Sequence, residues 1–241
     1  MLIKFILLLY FLMTSQPPRS FSTIGLKFIL GISGLVLFLF LIVHMLGNWQ
    51  VFLPPYYMNV YAYYLKSNPV VLWSVRLFLL GALIVHVSTA IRLWKINREA
   101  RPQPYKLLLP NQASFESRTM IFSGLIVLVF ILFHLYHFSF KGPPFGFFKN
   151  FLFPLSKQMI PDVRTMVIVG FQNPWVTLFY VFSLSVLFLH LRHALESFLN
   201  SLGFVNSKSL PWEKIVAHAF ALILYVGFLI IPIAIFLRLI H

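Results

Sequence analysis

Five apolar stretches, at roughly 26–53, 70–95, 118–140, 174–200 and 213–239, each reach the ~20 residues that a helix needs to cross the hydrocarbon core of a bilayer. Their boundaries carry helix-breaking signals. Pro54-Pro55 ends the first stretch, Asn68-Pro69 opens the second, and Pro102 and Pro104 sit in the linker after it. Pro143-Pro144 closes the third, Asn173-Pro174 opens the fourth, and Leu210-Pro211-Trp212-Glu213 opens the fifth. With 60% of residues hydrophobic and 10% charged, little chain remains outside these stretches. The expectation is an all-α membrane protein, a five-helix transmembrane bundle over residues 26–241 with no soluble catalytic domain. Neither a low-complexity tract nor a clear internal repeat stands out.

Residues 1–25 begin with an apolar run too short to span, and no clean small-residue cleavage site follows it. This part reads as an N-terminal interfacial segment. The chain has 19 Lys and Arg against five acids, Glu99, Glu116, Asp162, Glu196 and Glu213. The basic residues lie between and beside the apolar stretches, so their partner is membrane lipid and not nucleic acid. Twelve of the 19 fall on the side of the N-terminus, the 92–118 linker and the 192–214 linker, and seven on the other. By the positive-inside rule the N-terminus is cytoplasmic, in a multi-pass protein of a bacterial inner membrane. The absence of cysteine excludes disulfides, thioether-attached haem, thiolate zinc and cysteine-ligated iron-sulfur clusters within the chain.

The chemistry lies in the histidines. Among eight, His44, His86, His134 and His190 fall inside the first four stretches, one in each. Counting ~1.5 Å of rise per residue, His44 and His134 lie deep, about 27 and 24 Å from the cytoplasmic edge, and His86 and His190 lie about 13 and 15 Å from it. Two imidazoles at one depth, facing across a helical bundle, suit the two axial positions of a b-type haem, and this pattern supplies two such sites. A zinc site would need three or four ligands at one depth. A proton channel would pair its histidines with intramembrane carboxylates, and only Glu196 lies inside a stretch, near its end, with Glu213 at the very edge of the fifth. His193, one turn beyond His190, is the rival ligand; His137 and His218 read as interfacial or propionate-binding, and His241 as the exposed terminus. Ser33, 11 residues before His44 and nearly on its face, is expected to point at the cytoplasmic-side haem. Gly47 is expected to leave room for a flat macrocycle, and the Phe-rich faces to contact lipid.

These residues resemble a known family. Ser22-Thr23-Ile24-Gly25-Leu26-Lys27, then Ser33-Gly34 and His44-Met45-Leu46-Gly47-Asn48, are similar to the opening of the five-helix di-haem cytochrome b membrane-anchor subunit of succinate dehydrogenase and fumarate reductase. Asn97-Arg98-Glu99-Ala100-Arg101-Pro102 with Tyr105, Ser117-Arg118-Thr119-Met120 with Ser123-Gly124, His134-Leu135-Tyr136-His137-Phe138, and His190-Leu191-Arg192-His193-Ala194 with Ser197 and Ser201-Leu202-Gly203 continue the likeness over residues 22–235. Ala194 replaces a glycine frequent in the family.

The resemblance implies two haem b groups, with His44, His86, His134 and His190 as axial ligands of the haem iron. It also implies docking to a flavoprotein subunit and an iron-sulfur subunit, and electron delivery to quinone, with menaquinone expected. The chain would be a subunit of succinate:quinone oxidoreductase, a respiratory-chain enzyme tied to the tricarboxylic acid cycle, without a succinate or flavin site of its own. A second haem near the outer face is useful chiefly if quinone reacts there, so Asn48, Trp73, Arg76 and His137 are the quinone candidates; the cytoplasmic alternative uses Arg92, His193, Trp212 and His218. The competing readings are a cytochrome b anchor of a hydrogenase or formate dehydrogenase, and a cofactor-free transporter.

Overall fold

The computed structural model describes residues 22–100, 115–201 and 212–240. The interfacial segment expected over 1–25 and the basic residues Lys4, Arg19, Arg101, Lys106 and Lys208 fall wholly or largely outside these residues, as does His241. The described residues are mostly helical: α1 (Thr23–Asn48), α2 (Pro55–Ser67), α3 (Pro69–Glu99), α4 (Phe115–His134), α5 (Val163–Gln172), α6 (Pro174–Ser201) and α7 (Trp212–Phe236). A 3-10 turn, Trp49–Phe52, prolongs α1, and a π-helical turn, Leu135–Phe140, prolongs α4. Five helices are long and apolar enough to cross a membrane: Thr23–Phe52, Pro69–Glu99, Thr119–Phe140, Pro174–Ser201 and Trp212–Phe236. They agree with the five predicted stretches to within a few residues at each end.

Local chemistry starts and stops these helices. Ser22 accepts the Gly25 N–H at 3.1 Å to cap α1, and Asn68 accepts that of Val71 at 3.2 Å to cap α3, whose first residue is Pro69. Asn173 does the same for α6, accepting from Trp175 at 3.0 Å just ahead of Pro174. Lys141, with φ of 50°, turns the chain left-handed where the π turn ends.

Helices α1 and α3 pack as one pair and α4 and α6 as another, while α7 lies against α6 and touches α1. Because the spans alternate in direction, the segments joining α1 to α3 and α4 to α6 meet at one end of the bundle, here termed the cap end. They are not simple loops. Residues 145–172 form a 3-10 turn (Phe145–Asn150), an antiparallel hairpin of β1 (Leu152–Leu155) and β2 (Gln158–Pro161), and α5. The hairpin turns on Ser156, whose φ of 54° suits the first position of a tight two-residue turn.

The main apolar core lies under this cap. Val51, Met58, Phe148, Met166, Phe171, Tyr180, Ile231 and Ile235 share it, drawn from both inter-span segments and from α6 and α7. A polar clasp fixes the cap in place. Asn59 of α2 is fully buried; its Oδ1 accepts the N–H groups of Val163 (2.8 Å) and Arg164 (3.0 Å), and its Nδ2 donates to Asp162 Oδ1 (2.9 Å). Asp162 in turn caps α5 by accepting from the Thr165 N–H at 3.0 Å and hydroxyl at 2.7 Å. The free donors at the start of a helix are thus satisfied away from water.

Candidate functional site: two histidine pairs in the bundle

The four span histidines are half-buried between the helices and fall into two pairs. At the cap end, His44 of α1 meets His134 of α4, with ring centroids 5.7 Å apart and planes at 89°. The His44 ring also stacks on Phe40 at 5.2 Å and lies beside Phe228 at 6.0 Å. At the other end, called the linker end, His86 of α3 and His190 of α6 are electrostatic neighbours, and His193 lies next to His190.

Each linker-end ring rests in a notch made by two small residues of the neighbouring helix. His86 Nδ1 is 3.3 Å from Ser33 Oγ on α1, and His190 Nδ1 is 3.0 Å from Ser123 Oγ on α4. The residue after each serine is glycine. A Cβ at Gly34 would come within 3.1 Å of His86 Cε1, and one at Gly124 within 3.3 Å of His190 Cε1.

The serines also decide where the ring protons sit. A hydroxyl has one proton, and Ser33 spends it on a carbonyl of its own helix, Ile29 (2.9 Å) or Leu30 (3.0 Å); Ser123 spends its proton on Met120 (3.0 Å). Each therefore accepts from its histidine, so Nδ1 carries the proton and the Nε2 lone pair is free. This is the tautomer a metal-ligating imidazole needs. The residues present fit two bis-imidazole centres, because each level offers two imidazoles from two different helices. No group of three or more His, Cys, Asp or Glu gathers as a metal site among the described residues, and a two-ligand centre does not require one.

The notch follows a repeat in the sequence. Ser33-Gly34-Leu35 precedes His44 by the same spacing with which Ser123-Gly124-Leu125 precedes His134, with apolar residues between. Contrary to the expectation of no clear internal repeat, α1 with α3 and α4 with α6 are two copies of one device. Each copy has a Ser-Gly notch and, 11 residues later, a histidine of the cap-end pair; the partner helix supplies the linker-end histidine. The signal in the sequence is the paired Ser-Gly and His at one fixed spacing, 33 to 44 and 123 to 134.

Tyr180 of α6 carried no sequence signal. Its hydroxyl lies 3.2 Å from His134 Nδ1 and 3.0 Å from His137 Nδ1. His137, expected near an outer rim, is fully buried, because the π turn draws it inward and the cap closes over it. Phe138 and Phe145 flank its ring at 3.9 and 4.3 Å, and Gly170 of α5 leaves the room it occupies. Among the other quinone candidates, Trp73 is exposed with Arg76 5.2 Å from its ring centroid, and Asn48 donates to the His44 carbonyl at 2.7 Å. Gly47 does not face the histidine pair; a Cβ there would meet Tyr61 of α2 at 3.2 Å. On the linker side, His218 bonds to the Lys214 carbonyl at 2.7 Å. A cleft of about 240 Å³ between α2 and the start of α5, lined by Tyr63, Lys66, Ser67 and Val163, contains no histidine.

No family model, no curated protein and no solved structure matches the chain.

Proposed function

We propose that the chain is a di-haem cytochrome b membrane anchor, holding one haem b between His86 and His190 and a second between His44 and His134. The observation that carries this reading is the pairing of four intramembrane histidines at two levels, with the linker-end rings seated against Ser33 and Ser123 of the neighbouring helices. Bound haem would supply one-electron chemistry. The chain's own residues do the rest. They orient the imidazoles, close the rings within apolar helices, and set two centres one beyond the other along the bundle, since about 16 Å of helix rise separates Ser33 from His44.

The resemblance described above supports assigning this anchor to a succinate:quinone oxidoreductase in a bacterial inner membrane. In this reading the linker end faces the cytoplasm. Arg92, Lys95 and Arg98 then present positive charge to the iron-sulfur subunit, which the flavoprotein accompanies, and quinone reacts at the cap side, where Trp73 and Arg76 face the lipid from which it arrives. Affinity purification of the tagged chain from its native membrane tests this. A covalent-flavin subunit and succinate-dependent quinone reduction are expected to co-purify; a nickel or molybdenum subunit in their place would overturn the assignment.

The glycine notches give a sharper expectation. Gly34→Val or Gly124→Val forces a branched side chain against an imidazole and should remove the linker-end haem while sparing the cap-end one. Nothing lies within 4 Å of a Cβ at Gly81, so Gly81→Ala should keep both haems and stabilise α3 by up to ~1 kcal/mol. Haem content per chain and thermal unfolding check both.

A further inference from the structure

Two imidazoles at the cap end share one phenol hydroxyl, and the sharing has a direction. Tyr180 is buried, and its hydroxyl stands between two Nδ1 atoms, those of His134 at 3.2 Å and His137 at 3.0 Å. A phenol has one proton, so it can donate to only one of them and must accept from the other. His137 Nε2 decides which. That atom is buried with no hydrogen-bond partner, and the rings of Phe133, Phe138, Phe145 and Phe148 surround the imidazole with centroids 3.9 to 5.7 Å from its own. The π electrons of such rings attract an N–H and repel a lone pair, so the proton of His137 belongs on Nε2. Its Nδ1 is then an acceptor and takes the Tyr180 proton. The Tyr180 oxygen in turn accepts from His134 Nδ1–H, which leaves His134 Nε2 bare.

We infer that Tyr180, fixed by His137, is the positioning residue of the cap-end centre, locking His134 in the tautomer and orientation that bind iron. The inference rests on the di-haem reading above. Tyr180 does for His134 what Ser33 and Ser123 do for the linker-end pair, through a longer side chain reaching over from α6. The opposing His44 is held by ring stacking on Phe40 instead, so the cap-end centre has one hydrogen-bonded ligand where the linker-end centre has two. An acceptor on the Nδ1–H makes an imidazole a stronger donor to iron and favours the oxidised state. Removing that acceptor should therefore raise the potential of this centre alone.

The test is a redox titration of the purified complex, following both haems by their optical bands and the oxidised forms by electron paramagnetic resonance. Tyr180→Phe keeps the ring and its aromatic packing but loses the hydroxyl. It is expected to raise the reduced-to-oxidised ratio of the cap-end haem about tenfold at a fixed ambient potential, ~59 mV for a one-electron couple, and to leave the linker-end haem unmoved. His137→Phe, which removes only the acceptor that orients the phenol, should shift the same haem the same way by less; it serves as the readout if Tyr180→Phe fails to retain that haem. Tyr225→Phe, at a second intramembrane phenol that bonds to Ser185 at 3.1 Å, should move neither haem. Two bound haems with a cap-end potential unchanged in both Tyr180→Phe and His137→Phe would overturn the inference and leave the di-haem reading standing. A wild-type chain that binds no haem would overturn that reading, and the inference with it.

Discussion

Replacing any one of His44, His86, His134 or His190 by alanine should lower haem b from two per chain to one, and which haem is lost should follow the pairing. His44→Ala and His134→Ala remove the cap-end haem; His86→Ala and His190→Ala remove the other. The two levels are independent because no histidine is shared between them and about 16 Å of helix lies between a notch serine and the cap-end histidine of the same span. In the proposed arrangement each centre would have only two protein ligands, so the loss of either would leave its iron with one imidazole and a cavity in place of the second. His193→Ala should keep both haems, because the Ser123 notch receives His190 and not its neighbour one turn away. Pyridine haemochrome content and the split of the reduced absorption band read the outcome. Loss of the linker-end haem in His193→Ala, with retention in His190→Ala, would reassign the ligand on α6.

The largest effect on stability is expected at Asn59. Asn59→Leu keeps the branched shape of the side chain and strips the clasp from the cap, leaving the Val163 and Arg164 N–H groups without their acceptor and Asp162 without its amide donor. Each orphaned buried group costs about 1–3 kcal/mol, so the sum should reach roughly 3–5 kcal/mol even if the cap relaxes. That corresponds to a fall of roughly 10 °C or more in the unfolding temperature of a domain of this size. Lys157→Ala, on the exposed hairpin turn, should change stability by less than about 0.5 kcal/mol. An Asn59→Leu protein as stable as the parent would mean that the cap is held by its apolar core alone.

The five spans were legible because the bilayer asks one question, apolar length, and the sequence answers it without reference to distant residues. Prolines and Asx residues at the borders then fix the ends. The cap was not legible for the opposite reason. Residues 55–67 and 145–172 are short and mixed in polarity, and they gain their structure from contacts between segments about 100 residues apart, such as Asn59 with Asp162. The depths of the four histidines follow from counting residues along straight helices, which is why their grouping into two levels could be anticipated. Side-chain partners need the rotation of each helix as well. Ser33 could be placed at the depth of the linker-end pair, yet its bond to His86 required knowing that α1 packs on α3. Tyr180 lies on a span whose histidine belongs to the other level, so no spacing rule connects it to His134. The full burial of His137 was not legible, because a π turn, which shifts every later residue around the helix axis, leaves little trace in composition. Gly47 was read as space for a cofactor when its space serves Tyr61, since a glycine announces room and does not say for what.

Haem held by the paired histidines would show in the reduced-minus-oxidised spectrum of the purified wild-type chain, taken together with its haem-to-protein ratio. The account predicts b-type absorption bands, extractable and therefore non-covalent haem, and a ratio of two per chain. A well-folded chain that is colourless, or one that carries a single haem surviving in all four histidine variants, would contradict it.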